Sequence, residues 1–282
     1  MVIYRDYRFL IDCGEGTQRQ LLRSGLGFRR LERIFLTHGH LDHILGLGGL
    51  VSTFARWEAI PALAIYGGAW PLERVRALMD VVLGHGDIPL ELEYHPLSTG
   101  VILEDDSFRL SAFPVSHRGP DCLGYNFEEK ERSPFLAEKA EALGVPAGPC
   151  RRDLVNGEAI TLEDGTVIRP EQVLGEAVPG VKLSIVGDAG LTDNLIEHVA
   201  GADALVIEAT YIQQEATLAR EFGHLTAAQA ARLAVEAGVK HLYLTHISRR
   251  YRERDILAEA QEIFPDTTVA RDFDTFRIAR TS

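Results

Sequence analysis

Apolar residues in this chain fall into short runs that repeatedly end on an acid or a histidine, with helix-spaced stretches between them. Tyr7-Arg8-Phe9-Leu10-Ile11-Asp12 alternates imperfectly and closes on an acid, so it reads as a strand. Glu32 to Leu36 and Ala62 to Tyr66 read the same way, the latter closed by Gly67-Gly68. Lys182 to Asp188, Ala204 to Thr210 and His241 to His246 repeat the form in the second half. Between these runs the spacing predicts helices near Gln18, from Ile44, over Trp70–Leu83, after Thr226 and over Asp255–Phe264. Thr226 and Gln229 stand at capping-box spacing. Leu90 to Leu97 and Phe108 to Val115 read as paired strands with a turn near Glu104-Asp105-Asp106-Ser107, and Thr267 to Ile278 as an edge strand.

The pattern lapses between residues 126 and 180. Glu128 to Leu143 is charged and helix-prone, Gly144-Val145-Pro146-Ala147-Gly148-Pro149 breaks the chain, and Leu162 to Val167 suggests a hairpin turn. A stretch this long without core periodicity, between two strand blocks, is expected to project from the core. The whole reads as one α/β domain over 1–282, with an inserted arm at about 128–180.

Composition narrows the class. Ordinary apolar content over 282 residues suits a soluble globular protein, and no run of about eighteen apolar residues suggests a membrane helix. Met1 to Asp6 lacks the apolar core of a signal peptide, so the expected location is the cytoplasm. Cys13, Cys122 and Cys150 are odd in number and far apart, which argues against a disulfide framework or a cysteine zinc site. The formal charge of −12 argues against long-range attraction to nucleic acid, although a local basic patch or bound cations can outweigh it.

The densest chemistry lies in Thr37-His38-Gly39-His40-Leu41-Asp42-His43, just after the apolar run Ile34-Phe35-Leu36. A strand cannot turn all four polar groups to one face. A turn entering a helix lets His38 and His40 converge while Asp42 and His43 swing to a second point, giving two adjacent nitrogen and oxygen ligand sets suited to a pair of Zn²⁺-like ions. His85 and His95 belong to no such pattern and read as ordinary histidines.

The form H-x-H-x-D-H resembles the signature of the metallo-β-lactamase superfamily, and the remaining segments resemble its ribonuclease Z branch, the tRNA 3′-end endonucleases. The resemblance implies an αβ/βα four-layer sandwich with a protruding arm. It assigns His38, His40 and His117 to one divalent ion and Asp42, His43 and His246 to another, with Asp188 bridging ions roughly 3.5–4 Å apart. The ions would be zinc, with manganese or iron also compatible with the donors. A water held between them would be acidified toward hydroxide at about pH 7. Asp12, within Asp12-Cys13-Gly14-Glu15-Gly16-Thr17-Gln18, would orient the metal loop; on the residues alone a strand-end acid capping a turn is an equal reading. Asp188 alone reads equally as a cap for a helix from Leu191.

Glu208-Ala209-Thr210 followed by His224 is characteristic of ribonuclease Z, where the histidine protonates the leaving 3′ oxygen and the glutamate fixes its tautomer. Without that resemblance His224 reads as a helix-entry histidine packed on Tyr211. His246-Ile247-Ser248-Arg249-Arg250-Tyr251 resembles the branch motif whose arginine, here Arg250, grips the scissile phosphate, and Arg249, Arg252 and Arg254 extend a basic rim. Asp42 would accept the water's proton as well as ligating. Relatives begin with a further strand and a Gly-rich turn, so either Met1 is not the natural start or the first sheet is short of an edge strand.

The arm resembles the element with which such enzymes grip the tRNA elbow, but its charge is unusual. Lys130, Arg132, Lys139, Arg151, Arg152 and Arg169 face eleven acids, and only Arg151-Arg152 makes a basic tip for tRNA contact. The expected activity is phosphodiester hydrolysis at the 3′ side of precursor tRNA by a homodimer. A dinuclear hydrolase of small phosphodiesters, esters or lactams is the alternative, and a non-catalytic metal-binding scaffold a further one.

Overall fold

The strand runs assemble into two sheets. A computed structural model of the chain describes residues 1–57, 60–84 and 89–279. One compact unit comprises residues 1–104, 109–127 and those from Lys182 onward; a second comprises residues 105–108 and 128–181.

The first sheet contains β1 (Val2–Tyr4), β2 (Tyr7–Ile11), β3 (Arg33–Phe35), β4 (Ala62–Gly67) and β5 (Glu91–Pro96), in that spatial order. β1 pairs antiparallel with β2 and forms the edge there, while β2 to β5 run parallel. Then come β6 (Gly100–Glu104), β7 (Phe108–Pro114), β8 (Leu123–Glu129), the two-stranded hairpin β9 (Ile160–Thr161) and β10 (Val167–Ile168), β11 (Lys182–Ile185), β12 (Ala204–Glu208), β13 (Leu242–Thr245) and β14 (Thr267–Val269). The second sheet has the order β14-β13-β12-β11-β8-β7-β6, with β11 to β14 parallel.

Period-two alternation explains how each sheet buries two faces. Leu10, Ile34, Leu63 and Ile65 join Leu21, Leu47, Leu50, Phe54, Leu72 and Val75 of the helices Thr17–Arg23, Leu47–Trp57 and Ala69–Leu83 in one core. Their strand neighbours Phe9, Phe35 and Tyr66 point the other way, onto Tyr125 and Phe127. The Phe35–Tyr66 rings stack at 4.7 Å, and fully buried Tyr125 donates its hydroxyl to the Leu36 carbonyl at 2.5 Å. Leu205, Ile207, Leu242 and Leu244 form a second core with the helices Ala227–Glu236 and Glu253–Gln261. Thr226 and Gln229 do form the expected capping box on the first of these.

Two expectations about strands are corrected. Leu90–Leu97 and Phe108–Val115 are not partners: β5 pairs with β4 in the first sheet, whereas β7 pairs antiparallel with β6 in the second. A tight turn decides the matter, since Asp105 Oδ1 accepts from the backbone amides of Ser107 and Phe108 (2.7 and 3.0 Å) and folds β7 back on its nearest neighbour. The edge strand expected over Thr267 to Ile278 stops at Val269. Beyond it Arg271 forks onto Glu253 at 2.7 Å per arm and starts a turn closed by Asp274, which leads the chain off the sheet. His95 pairs with Glu93 and stacks on Tyr66, whereas His85 lies outside the described residues.

The second unit has its own small core of Ala140, Val145, Leu154, Ile168 and Val173. Its helices are Ala137–Ala142, Pro149–Val155 and Pro170–Val173. Among the described residues no helix is long and apolar enough to cross a membrane.

Candidate metal centre

Every candidate ligand sits where a strand runs out into a loop. The metal stretch follows β3, His117 follows β7, Asp188 follows β11 and His246 follows β13. Backbone contacts lace the metal loop to the segment after β2: Cys13 N–H donates to the His43 carbonyl (2.8 Å) and Gly46 N–H to that of Cys13 (2.9 Å). Glycine is required at this crossing, because a Cβ on Gly14 would collide with the Asp42 carbonyl and one on Gly46 with that of Gly14. Asp12 and His246 leave their strands with φ of 58° and 55°, the left-handed region that non-glycine residues adopt at some strain.

Side chains from four segments converge. His38, His40, His117 and Asp188 present ligand atoms within 4.8 Å of one another, as do Asp42, His43, Asp188 and His246. Asp188 divides its oxygens between the sets. Oδ2 lies 3.8 and 3.7 Å from His38 Nε2 and His117 Nε2, and Oδ1 lies 3.4 and 3.6 Å from His43 Nε2 and His246 Nε2. Asp42 Oδ2 completes the second set, 3.7 Å from His43 Nε2 and 3.4 Å from His246 Nε2.

The outer hydrogen bonds determine what these atoms offer. The Asp12 carboxylate accepts from Thr37 N–H and Thr37 Oγ1–H and from His43 Nδ1–H, each at 2.7 Å. With its one proton given to Asp12, Thr37 Oγ1 accepts from His38 Nδ1–H at 3.0 Å. His117 Nδ1–H donates to the Gly223 carbonyl at 2.7 Å. In the other half Thr210 Oγ1 donates to Glu208 Oε2 at 2.6 Å and accepts from His246 Nδ1–H at 2.8 Å. The protons of His38, His43, His117 and His246 are thereby drawn outward, and four Nε2 lone pairs point inward. His40 Nδ1 lies 3.0 and 3.3 Å from His38 Nε2 and His117 Nε2 and has at most one proton to offer the two. The remaining lone pairs repel unless a cation lies between them. Buried His43 Nε2 and Asp188 Oδ1 have no hydrogen-bond partner, which is the mark of atoms reserved for an ion. The donor set therefore fits divalent cations.

Electrostatics agree. Burial pushes the His38 imidazole down to about 2 and also lowers His40 and His117, keeping them neutral and able to ligate. Burial opposes charge on His43 too, but the hydrogen bond to Asp12 and the charges of Asp12 and Asp188 override it and raise the imidazole to about 11. Burial likewise opposes ionisation of Asp188, yet His43 and the other imidazoles around it hold its carboxyl well below the usual range. Protonated His43 carries its second proton on Nε2, which a bound cation would have to displace.

Comparison with known proteins places this arrangement. The metallo-beta-lactamase superfamily model matches residues 1–109, and the beta-lactamase superfamily domain model matches residues 156–247. A ribonuclease Z of Bradyrhizobium diazoefficiens is 48% identical over 267 residues, covering 95% of this chain and 89% of that protein. The chain belongs to the ribonuclease Z family. A further family member, from Brevibacillus brevis, is 41% identical over 280 residues, covering 96% of this chain and 87% of its own length. The crystal structure of human tRNase Z, short form, shares the metallo-β-lactamase fold with a TM-score of 0.68 at 24% identity, over 99% of this chain and 91% of that one.

The remaining candidates of the ribonuclease Z pattern are placed unevenly. Fully buried Glu208 accepts from Ala189 N–H (2.8 Å) and His224 Nδ1–H (2.9 Å) on Oε1. Burial would lower His224, but the hydrogen bond and charge of Glu208 raise it overall. His224 stacks beside His246 with ring centroids 5.4 Å apart, and Tyr211 is 6.1 Å away. Asp188 caps no helix from Leu191, because the next helix is Ile196–Val199. Arg250 contacts none of the ligand candidates and is held instead by Glu215, Nη2 to Oε1 at 2.9 Å. Arg151 makes no free basic tip: it donates to the carbonyls of Pro146 and Val145 at 3.0 Å each and lies over Phe135. Arg152 is exposed. Sequence reasoning gave no role to Thr37, Thr210 or Gly223. The two threonines stand inside quoted motifs, and their place beside a ligand and an acid was the available signal; nothing marked the Gly223 carbonyl.

Proposed function

We propose that this chain is a divalent-metal-dependent endoribonuclease that trims precursor tRNA at its 3′ end. The carrying observation is that Glu208 holds, in one buried carboxylate, both a histidine facing the ligand cluster and the hydrogen bond that aims His246 into it. A scaffold that merely bound metal would need the second function and not the first.

His38, His40, His117 and Asp188 would hold one ion, and Asp42, His43, His246 and Asp188 another; the nitrogen-rich donors favour zinc. Bound there, such ions neutralise phosphate charge and make water a better nucleophile near neutral pH. The residues do the rest. Asp42, whose side chain is 63% exposed, is open to take a proton from the attacking water as well as to ligate. His224 has Nδ1 committed to Glu208, so Nε2 is the atom that delivers a proton to the departing 3′ oxygen. Arg250 supplies a guanidinium for the phosphate oxygens, and Asp12 keeps His43 and, through Thr37, His38 in ligating tautomers.

A small phosphodiester remains a second reading because of the arm. Six bases face eleven acids over residues 128–180, and Arg151 spends its donors on the arm's own backbone. Such a surface gains little from counterion release, so tRNA affinity would rest on Arg152 and Arg249, with Arg252 and Arg254 partly neutralised by the Asp255 they share. A tRNA-processing role belongs in the cytoplasm. A homodimer is in keeping with exposed Leu22, Leu45 and Trp57 on and beside the helices Thr17–Arg23 and Leu47–Trp57. Light scattering should give twice the chain mass, and Leu45→Glu should halve it.

The deciding assay sets precursor tRNA against bis-p-nitrophenyl phosphate, with zinc content measured alongside. Precursor cleavage that falls about 10²–10⁴-fold in His224→Ala supports the ribonuclease reading. Turnover of the small diester alone supports the second reading, and silence with metal bound sinks both.

A further inference from the structure

We infer that Glu215 is the positioning residue for Arg250, holding one edge of the guanidinium so that its other edge faces the substrate phosphate; this rests on the ribonuclease reading above. The loop after His246 turns tightly, with Tyr251 N–H donating to the Ser248 carbonyl at 3.1 Å. That turn sends Arg250 and Tyr251 to the same carboxylate. Arg250 Nη2 donates to Glu215 Oε1 at 2.9 Å, and the Tyr251 hydroxyl donates to Oε2. Each oxygen thus has one protein donor, and together the two donors fix the plane of the carboxylate.

Glu215 is itself firmly placed. It ends the short 3₁₀ turn Gln213–Glu215, whose first amide donates to the Glu259 carboxylate at 2.8 Å. Gln213 Oε1 accepts from Thr226 Oγ1 at 3.0 Å and from Arg232 at 3.1 Å. Tyr211 forms a bridge with Thr226, two residues beyond His224. Its ring lies 6.1 Å from His224 and 6.5 Å from Tyr251. The 211–215 segment therefore spans the loop of the proton donor and the loop of the arginine, and fixes their spacing.

A guanidinium carries five N–H groups in a planar fork with two usable edges. Glu215 occupies only Nη2, and no other protein acceptor engages Arg250 among the described residues. One edge remains for two-pronged contact with phosphate oxygens. Half-exposed on a loop, an unanchored arginine would lose that orientation in the free enzyme and would have to recover it on binding.

The test is a double-mutant cycle on the zinc-loaded enzyme with precursor tRNA. Glu215→Ala should raise KM about tenfold with kcat changed less than about threefold, and Arg250→Ala should lower kcat/KM about a hundredfold. The double variant should be no worse than Arg250→Ala alone, because Glu215 acts only through Arg250. Glu215→Gln, whose carbonyl still accepts from Arg250 and whose amide can donate to the Tyr251 oxygen, should recover to within about threefold of the parent. The Kd of precursor tRNA, which keeps the scissile phosphate, measured in a His224→Ala background should follow the KM series, while melting temperature and zinc content stay constant. Additive losses in the cycle, or tighter tRNA binding by Glu215→Ala, would overturn the inference while leaving the ribonuclease reading intact. If the unaltered enzyme cuts no precursor tRNA, the functional reading fails and takes this inference with it.

Discussion

Replacing Glu208 by glutamine removes one negative charge and converts one oxygen into a donor, at a fully buried position. The carboxylate accepts from Ala189 N–H and His224 Nδ1–H on one oxygen and from Thr210 N–H and Oγ1–H on the other. If the amide NH₂ faces Ala189, a buried backbone N–H is left opposite a donor, a loss of about 1–3 kcal/mol. If it faces Thr210, the Thr210 N–H is left opposite a donor and the hydroxyl must turn to accept, its proton then shared between the His246 carbonyl at 3.0 Å and His246 Nδ1 at 2.8 Å. Donation to Nδ1 would move the His246 proton to Nε2 and remove an inward lone pair. The second orientation therefore exchanges one stranded amide for another and disturbs the hydrogen bond that orients His246. Glu208→Gln should therefore weaken one of two bound ions by about 10–100-fold and lower stability by about 1–3 kcal/mol, in addition to losing proton delivery. His224→Ala should lose proton delivery alone. Metal content by mass spectrometry, metal affinity by competition with a chelating dye, and single-turnover cleavage separate the two. The reasoning is refuted if Glu208→Gln keeps both ions at parental affinity and its defect equals that of His224→Ala.

Three further outcomes follow from the same contacts. Thr37→Val keeps shape but removes the acceptor for His38 Nδ1–H, and should weaken metal binding about tenfold in a dye competition without changing the circular dichroism spectrum. Tyr125→Phe strands the Leu36 carbonyl between the sheets and should lower the urea-unfolding free energy by about 1–3 kcal/mol, with kcat per folded molecule unchanged. Chelation of the ions should lower the melting temperature as well as abolish cleavage, because inward lone pairs and the buried Asp188 lose their counter-charge; zinc should restore both, and an unchanged melting curve would contradict the fit of the donor set to an ion.

Much of this was legible in the residues because strands advertise themselves twice, once by apolar runs and once by where the run ends. Asp12, His117, Asp188 and His246 each mark the exit of a strand; β2, β11 and β13 lie in parallel runs, which bring their exits to one edge, whereas β7 belongs to an antiparallel pair with β6. Which strands pair was less legible. Nothing in the apolar spacing of Leu90–Leu97 says that it completes a parallel sheet across the helix Ala69–Leu83, and β6 passed unnoticed because Val101 faces solvent. Hydrogen-bond partners were the least legible. Arg151 appeared to be a free cation at a turn, and only the fold reveals that its donors close that turn; Arg250 finds its partner 35 residues away, on a segment with no motif of its own.

The division of the candidate ligands along the chain has a consequence for assembly. Residues up to His117 furnish five of the ion-facing side chains, and those after the arm furnish only Asp188 and His246. A protease cut within Ala137–Val173 would sever the chain between these contributions while leaving all seven in place, the two pieces joined by the pairing of β8 with β11. In such a nicked molecule the ions would act as rivets, and dissociation of the fragments would depend on zinc concentration.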